Sequence, residues 1–500
     1  MNDASGPAGD GELRKHYRHK RKSMTSHANT TPIPAGIATP DETRTRLGAL
    51  RFFDGFPDDE TTRTLFDNLD FQRAVQAYLL GLAPVAVAAM RKALLQWGPA
   101  NSTLVMWADL AHPRFIGLAY NTSTSYHYAW LDLRDGPVVV EVPPKVYGAA
   151  IDPWCRWVVD VGITGPDQGR GGRYLFVPPG YAGQVPDGDL VVRSRTVGLW
   201  VGWRGFRDEH DDPRPAVEMV EAHTRIHPLA QADDPPSTRF VNVSAEPMCA
   251  VAPADFRFWE MLDEVVQSEP PDSADPLTLG MFASVGIRRG RPFAPDERMR
   301  AILTEAAAVG DATARALTYR FRQPEAYYYP GSAWRSGFLG GYSCTEDGVL
   351  LLDAAAQLDF LYGSTSPSWE QKTVGTGSQY ALAFVDATGA PFDGDRTYRL
   401  HVPPNVPVNN FWSVLVYDTQ TRSMLQTDQQ WPSVTSQDAD LAVNEDGSVD
   451  VHFGPEQPAT GGNWVQTLPG KSWFAAFRLY GPLEPWFDKT WKLPDIEPVG

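Results

Sequence analysis

The sequence predicts an α+β, strand-dominated fold: two β-sandwich or jelly-roll-like modules joined by a helical connector. Three observations carry this. Apolar residues alternate with polar ones in short runs after Tyr120 and again in the last quarter of the chain. Between and before these regions they recur at spacings of three and four, as on helices. At 500 residues, 42% hydrophobic and 21% charged, the chain is long enough for two or three cores.

Residues 1–40 are expected to form a disordered N-terminal extension. Arg14, Lys15, Arg18, Lys20, Arg21 and Lys22 make a basic cluster, followed by Ser, Thr, Asn and Pro where an export signal would place its apolar run. Residues 1–23 read as an upstream extension with Met24 as the start; the alternative is a disordered basic tail. Asp41–Leu50 is expected to be helical, and so is Thr61–Leu69, capped by Asp58, Asp59 and Glu60. Phe71–Leu82 and Val85–Leu95 read as two more helices, broken at Gly81 and Pro84.

From Tyr120 the period changes to two. Tyr126, Tyr128, Trp130 and Asp132 share one face of a strand, and His127, Ala129 and Leu131 the other. Val138–Val142 follows, then Ile151–Val161 with Trp154, Arg156, Val158 and Asp160 on one face. Tyr174–Val177 is short; Val191–Trp203 is long, with Arg193 and Arg195 together. Pro215–His223, Ala254–Gln267 and Pro295–Arg320 have helical spacing, the last interrupted at Gly310-Asp311. Strand alternation returns at Tyr398, Leu400 and Val402, at Trp412–Tyr417, at Val449, Val451 and Phe453 after the Asp446-Gly447 turn, and at Trp473–Tyr480. The domain boundaries that result are 41–205 for the first module with its helices, 206–345 for the connector and 346–500 for the second module.

Phe411-Trp412-Ser413, Tyr417-Asp418, Asn463-Trp464 and Arg478-Leu479-Tyr480-Gly481-Pro482 resemble the DUF1214 family, over roughly residues 370–495. Asn121-Thr122, Trp130-Leu131-Asp132, Gly136-Pro137-Val138-Val139, Gly172-Arg173-Tyr174 and Arg193-Ser194 resemble the DUF1254 domain, over roughly 45–205. The resemblance implies a DUF1254 domain followed by DUF1214. Neither name carries an assigned function, so it implies architecture and no reaction.

Composition narrows the partners. A formal charge of −17 argues against nucleic acid, which needs a basic patch. No run of about 18 apolar residues is present, so no membrane span is expected. Three distant cysteines, Cys155, Cys249 and Cys344, make neither a disulfide framework nor a CxxC metal site, which points to a reducing, cytoplasmic setting. There is no HExxH and no GxSxG. Gly375-Thr-Gly377 reads as a turn, and Asn444 to Ser448 as a hairpin turn, since the ligand spacing of a calcium loop is missing. His401 and His452 read as solvent-exposed, and His127 as a packed or surface histidine with a site role as the alternative. No metal site is assigned, and the sequence assigns no cofactor and no oligomeric state.

One constellation remains. Tyr126, Tyr128, Trp130, Trp154, Arg156, Asp160, Arg193 and Arg195 place phenols, indoles, a carboxylate and guanidiniums on matching faces of three predicted strands. Aromatic walls with a few charges describe a small-molecule pocket. In it Asp160, Tyr126 and Arg195 are the expected catalytic groups, and Tyr128, Trp130, Trp154, Arg156 and Arg193 the ligand-binding ones. The alternative is a sandwich core with an internal Asp–Arg pair. A second cluster, Tyr327-Tyr328-Tyr329-Pro330 to Trp334-Arg335, reads as a lid or as an aromatic plug between modules. The functional expectation is a cofactor-independent hydrolase or lyase acting on a small, partly apolar or sugar-like metabolite; the alternative is a non-catalytic ligand-binding or scaffold protein.

Overall fold

The computed structural model describes residues 28–370 and 372–499, and divides the chain into two compact units, 1–69 and 70–500. In the first, Glu42–Thr45 and Gly48–Phe53 pair antiparallel and Phe56–Pro57 adds a third short strand. The helix expected over Asp41–Leu50 is thus a hairpin. Gly48 turns the chain at φ 98°, where only glycine is unstrained, and the Thr45 hydroxyl accepts from the Leu47 amide at 3.0 Å. β-branched Thr43 and Thr45 favour the strand over the helix. Residues 28–40 are exposed and include one 3-10 turn, Ala35–Ile37. The basic cluster at 14–22, Met24 and the rest of residues 1–27 lie outside the described residues.

One uninterrupted helix, Asp59–Leu95, stands where three were expected. Asp58 caps it, accepting from the Thr61 amide at 2.7 Å. Pro84 lies in its interior, where a missing N–H and a steric clash cost about 3 kcal/mol. Burial offsets this, because Ala74, Ala77, Val85 and Val87 are wholly inaccessible to solvent. By length and composition this helix is apolar enough to cross a membrane, although its sequence holds no unbroken apolar run; 72% of its apolar window is buried inside the protein, which makes it a core helix.

Two glycines that read as breaks are close-contact points. A Cβ on Gly81 would lie 3.0 Å from the Phe258 ring, and one on Gly310 only 2.4 Å from the Tyr78 ring. The Arg257–Ser268 and Glu297–Tyr319 helices approach the long helix at these places, and Glu297–Tyr319 runs unbroken through Gly310. Phe258, Trp259, Leu262, Leu303 and Phe360 complete this helical core.

Within residues 70–500 each strand-rich region is two sheets packed face to face. The first has a six-stranded sheet ordered Arg239–Asn242, Thr103–Trp107, Thr124–Asp132, Gly198–Phe206, Tyr147–Ile151, Trp157–Gly162. Leu131, Ala150, Leu199 and Val201 pack it against Val138, Val140, Tyr174 and Phe176 of a four-stranded sheet. Arg225–Pro228 and Arg239–Asn242 join these sheets, so the sandwich runs past residue 205.

Two strands expected to be continuous are broken. Tyr147–Ile151 and Trp157–Gly162 flank a tight turn in which Cys155 has φ 60° and the Asp152 carboxylate accepts from the Trp154 and Arg156 amides at 2.9 and 3.0 Å. Leu190–Arg193 and Gly198–Phe206 lie in different sheets, and the crossover is held by Ser194, whose hydroxyl accepts from the Thr196 amide at 3.0 Å. Side-chain capping of the backbone has ended both strands where apolar content alone would extend them.

The second sandwich packs the Ser378–Ala383, Ser472–Pro482, Val408–Asp418, Ser433–Thr435 sheet on the Asn463–Gln466, Val449–Gly454, Thr397–Val402, Glu497–Val499 sheet. Tyr398, Leu400, Val451, Phe453, Trp473 and Phe477 fill its core. Trp334 is fully buried there, its indole donating to the Pro494 carbonyl at 2.7 Å, and the Tyr328 hydroxyl donates to the Tyr380 carbonyl at 2.7 Å. The 327–335 cluster is therefore a plug in the second module.

The remaining faces of the two large sheets meet each other. Tyr126, Tyr128, Trp130 and Trp200 from one, and Leu415, Tyr417, Phe474 and Ala476 from the other, share a single core with Val87 and Met90 of the long helix. Helix propensity alone would make Gly310→Ala stabilising by about 1 kcal/mol. The Tyr78 contact reverses the sign: chemical denaturation is expected to show a loss of about 1–3 kcal/mol, typical of overpacking.

Candidate functional site

Where the two large sheets face each other, apolar packing gives way to a cavity of about 70 Å³. Strand register builds it. Tyr126 and Tyr147 stand opposite Arg204 on the two neighbouring strands of Gly198–Phe206, so two phenols flank one guanidinium. Tyr128 lies over Gly202, where a Cβ would come within 2.1 Å of its ring, so the glycine makes room for the wall. From the second sandwich, Arg478 on Ser472–Pro482 stands opposite Tyr380. Both arginines line the cavity, and both are almost fully buried.

The two guanidiniums are held differently. Arg478 donates to the Ala119 carbonyl at 2.7 Å and to the Tyr417 hydroxyl at 2.6 Å, and lies 5.1 Å over the Tyr380 ring; its Nε has no partner. Tyr417 in turn donates to the Tyr120 carbonyl at 2.6 Å. Arg204 is held by ring faces, 4.8 Å over Tyr147 and 5.8 Å over Trp369. Among the described residues no aspartate or glutamate lines the cavity. Burial works against the Arg204 charge, yet the surrounding phenol oxygens of Tyr380, Tyr126, Tyr147 and Tyr480 outweigh it and raise its pKa above the ordinary value. Burial also pushes Tyr147 up, and pushes Tyr480 up to about 12, so these two phenols are neutral at pH 7 and give Arg204 no full counter-charge.

The eight residues that the sequence groups together are divided. Tyr126 and Tyr128 line the cavity, and Trp130 lies deeper in the same core with the Arg91 guanidinium 5.6 Å over its ring. Asp160 stands behind the cavity wall. Its carboxylate accepts from the Trp157 indole at 2.9 Å and from the Thr164, Ser368 and Ser366 side chains, while the Tyr147 hydroxyl donates to the Ser368 carbonyl at 2.6 Å. Burial raises the Asp160 pKa, with those hydrogen bonds opposing. Trp154 and Arg156 line a separate cavity, where Arg156 pairs with Asp152 at 2.6 Å and the Trp154 indole donates to Ser273 at 3.0 Å. Arg193 and Arg195 are exposed. The single-face reading is corrected by the two breaks described above: the turn at 152–156 and the crossover at 194–197 each interrupt the parity on which it depended.

Arg204, Arg478, Tyr147 and Tyr380 are the site residues that sequence reasoning missed. A signal was present, because each arginine is the one charged residue inside an otherwise apolar strand, Leu199 to Arg204 and Trp473 to Tyr480. A charge in such a run is expensive to bury and so marks function or a specific pair.

Among the described residues no cluster of three or more His, Cys, Asp or Glu is placed to hold a metal ion. The Asn444–Ser448 segment is a turn, with the Asp446 carboxylate accepting from the Ser448 amide at 3.0 Å. His401 meets Asp450 across the sheet at 2.9 Å, while His452 stands opposite Arg399.

Residues 377–484 match the family model described as "Protein of unknown function (DUF1214)", and residues 102–228 the one described as "Protein of unknown function (DUF1254)". The chain is similar in fold to the VPA0106 protein from Vibrio parahaemolyticus, with a TM-score of 0.53 at 20% identity over 86% of this chain and 100% of that one. An uncharacterized protein from Burkholderia cenocepacia aligns at a TM-score of 0.37 and 13% identity, over 88% of this chain and 96% of that one. No curated protein matches the chain.

His127 is on the opposite face of the Tyr126 strand, fully buried, with Nε2 3.0 Å from the Ser125 hydroxyl. Burial lowers its pKa to about 3. The unfolded chain therefore binds the proton first, and the stability that the neutral ring contributes is complete above pH 6.5 and declines as pH falls toward 3. Between pH 7 and pH 4 the wild type is expected to lose about 3 kcal/mol from this residue. His127→Gln should flatten that acid limb in denaturation measured across the same range.

Proposed function

From the premise that the chain belongs to the family joining a DUF1254 domain to a DUF1214 domain, we propose that it binds a compact organic anion between its two sandwiches. The observation that carries this is the pair of buried arginines, Arg204 and Arg478, facing one cavity that no carboxylate lines. A guanidinium taken out of water without a counter-charge is unfavourable by several kcal/mol, and a ligand carboxylate restores the missing charge through paired N–H···O bonds. Each water-sized group needs roughly 10–15 Å³ on this scale, so the volume suits about five non-hydrogen atoms. A carboxylate of two to four carbons fits, its anionic end on the arginines and its carbon body on Tyr126, Tyr128 and Trp200.

The hydrolase or lyase reading rests on a narrower observation. The Tyr126 and Tyr147 phenols flank Arg204 in a water-poor space, where a phenol is a competent proton donor. Binding leads because no carboxylate, thiol or imidazole lines the cavity. Asp160 would act only through the seryl layer in front of it. The same proposal places the protein in a reducing, cytoplasmic setting, on the strength of three free cysteines, and gives it neither nucleic acid nor membrane as partner.

Thermal unfolding and calorimetry with acetate, propionate and pyruvate test this. A ligand at a hundred times its Kd stabilises the folded state by about 2.7 kcal/mol, and the wild type is expected to show that gain with at least one of the three. Arg204→Met and Arg478→Met should lose it. Without ligand, Arg204→Met should be as stable as the wild type or more so, because it removes an uncompensated buried charge. A loss of about 3–5 kcal/mol in that ligand-free variant would mean that Arg204 is already structurally paired, and the reading would fall.

A further inference from the structure

A second cavity, of about 550 Å³, is lined by none of the residues of the arginine site; along the long helix its lining, Gln76 to Pro84, precedes Ala86 and Met90 of that site. Its walls are Leu79, Leu80 and Pro84 of that helix, Ala355 and Leu358 of the Leu352–Leu361 helix, and the Trp154–Trp157 turn. Its size is that of a pocket for a small organic molecule. Apolar residues of this neighbourhood stay open to solvent: Trp157 is 38% exposed, Leu350 46% and Leu352 52%.

The charges around it have the opposite sign to the first site. Four charged side chains line it: Arg156, Asp275, Asp353 and Asp359. Three are engaged. Arg156 pairs with Asp152, Asp353 with Arg322 at 2.7 Å, and Asp275 caps its own helix by accepting from the Leu277 and Thr278 amides. Among the described residues Asp359 has no cation beside it, and its polar side-chain neighbour is the Cys155 thiol, which donates to it. Burial raises the Asp359 pKa to about 7. An independent acceptor lies on the helix wall. Leu80 and Pro84 both line the cavity, and because proline has no N–H the Leu80 carbonyl lacks its normal helical donor four residues on.

We propose that this cavity binds an amphiphilic organic cation, a primary ammonium pairing with the Asp359 carboxylate and its hydrocarbon body lying on Leu79, Leu80, Leu350, Leu358 and Trp157. An ammonium brings three donors and no acceptor, which matches a carboxylate and a carbonyl whose i+4 donor is missing. An anion is excluded by the uncompensated carboxylate, and a neutral alcohol gains the apolar contacts alone. The claim stands apart from the anion site, since it uses none of those residues.

Calorimetry on the full-length protein with octylammonium chloride, octan-1-ol and sodium octanoate, each below its aggregation threshold at pH 8, provides the test. Octylammonium is expected to bind at least tenfold more tightly than octanol, with octanoate weakest. Asp359→Asn should bring octylammonium down to the affinity of octanol and leave octanol unchanged, whereas Ala355→Trp, which fills the cavity, should remove both. In the wild type, lowering the pH from 8 to 5.5 should weaken octylammonium binding at least tenfold as Asp359 takes up its proton, a measurement that requires no variant. Equal affinity for octylammonium in wild type and Asp359→Asn, tighter binding of octanoate, no binding of any probe, or a flat pH series would each overturn the proposal. Acetate should compete with none of these ligands; this separates its failure from failure of the anion site.

Discussion

Two sheets from different modules share one aromatic layer, and the rest of residues 70–500 is arranged around that constraint. Each large sheet is buried on both faces: one face turns into its own sandwich, the other toward its counterpart. Such strands are buried along nearly their whole length, as Thr124–Asp132, Gly198–Phe206 and Ser472–Pro482 are, and the last two are nearly continuous apolar runs where half-buried strands would alternate. The modules are stitched across this layer by specific polar bonds. Arg478 reaches the Ala119 carbonyl, Tyr417 the Tyr120 carbonyl, and Thr122 meets Ser433 at 2.8 Å. A buried bond to a carbonyl has one good geometry, so these contacts fix register between sheets that apolar packing alone would let slide.

The same constraint explains what the sequence disclosed. Four strands of the second module were legible, because Tyr398, Leu400 and Val402 alternate on a sheet buried on one side and Trp412–Tyr417 runs apolar on a sheet buried on both, while Ser378–Ala383, Ser433–Thr435, Asn463–Gln466 and Glu497–Val499 went unread. Tyr126 and Tyr128 were found for the same reason. The failures are of one kind. Pro84, Gly81 and Gly310 carry local preferences against helix, and tertiary contacts with Phe258 and Tyr78 overruled them. Asp152 and Ser194 ended strands through side-chain bonds to backbone, which leave little mark on an apolar profile.

The arginines of the cavity were missed for a different reason. Their meaning lies in a pairing between residues 274 positions apart in sequence, on strands of separate modules. Each stands out alone as a charge in an apolar run, but not as one of two that face each other. Only the facing of two sheets makes a positively charged hollow out of them, and no periodicity within either strand records that facing.

The long helix has a consequence for how the interior can evolve. Ala86 and Met90 form part of the wall of the arginine cavity, while Leu79, Leu80, Ala83 and Pro84 wall the other. A stretch of twelve residues, little more than three turns, therefore lines two chambers of opposite charge in succession along one helix. Enlarging one by substitution on this stretch draws in or pushes out the lining of its neighbour, so the two chambers are expected to co-vary in volume across relatives and are poor targets for independent redesign.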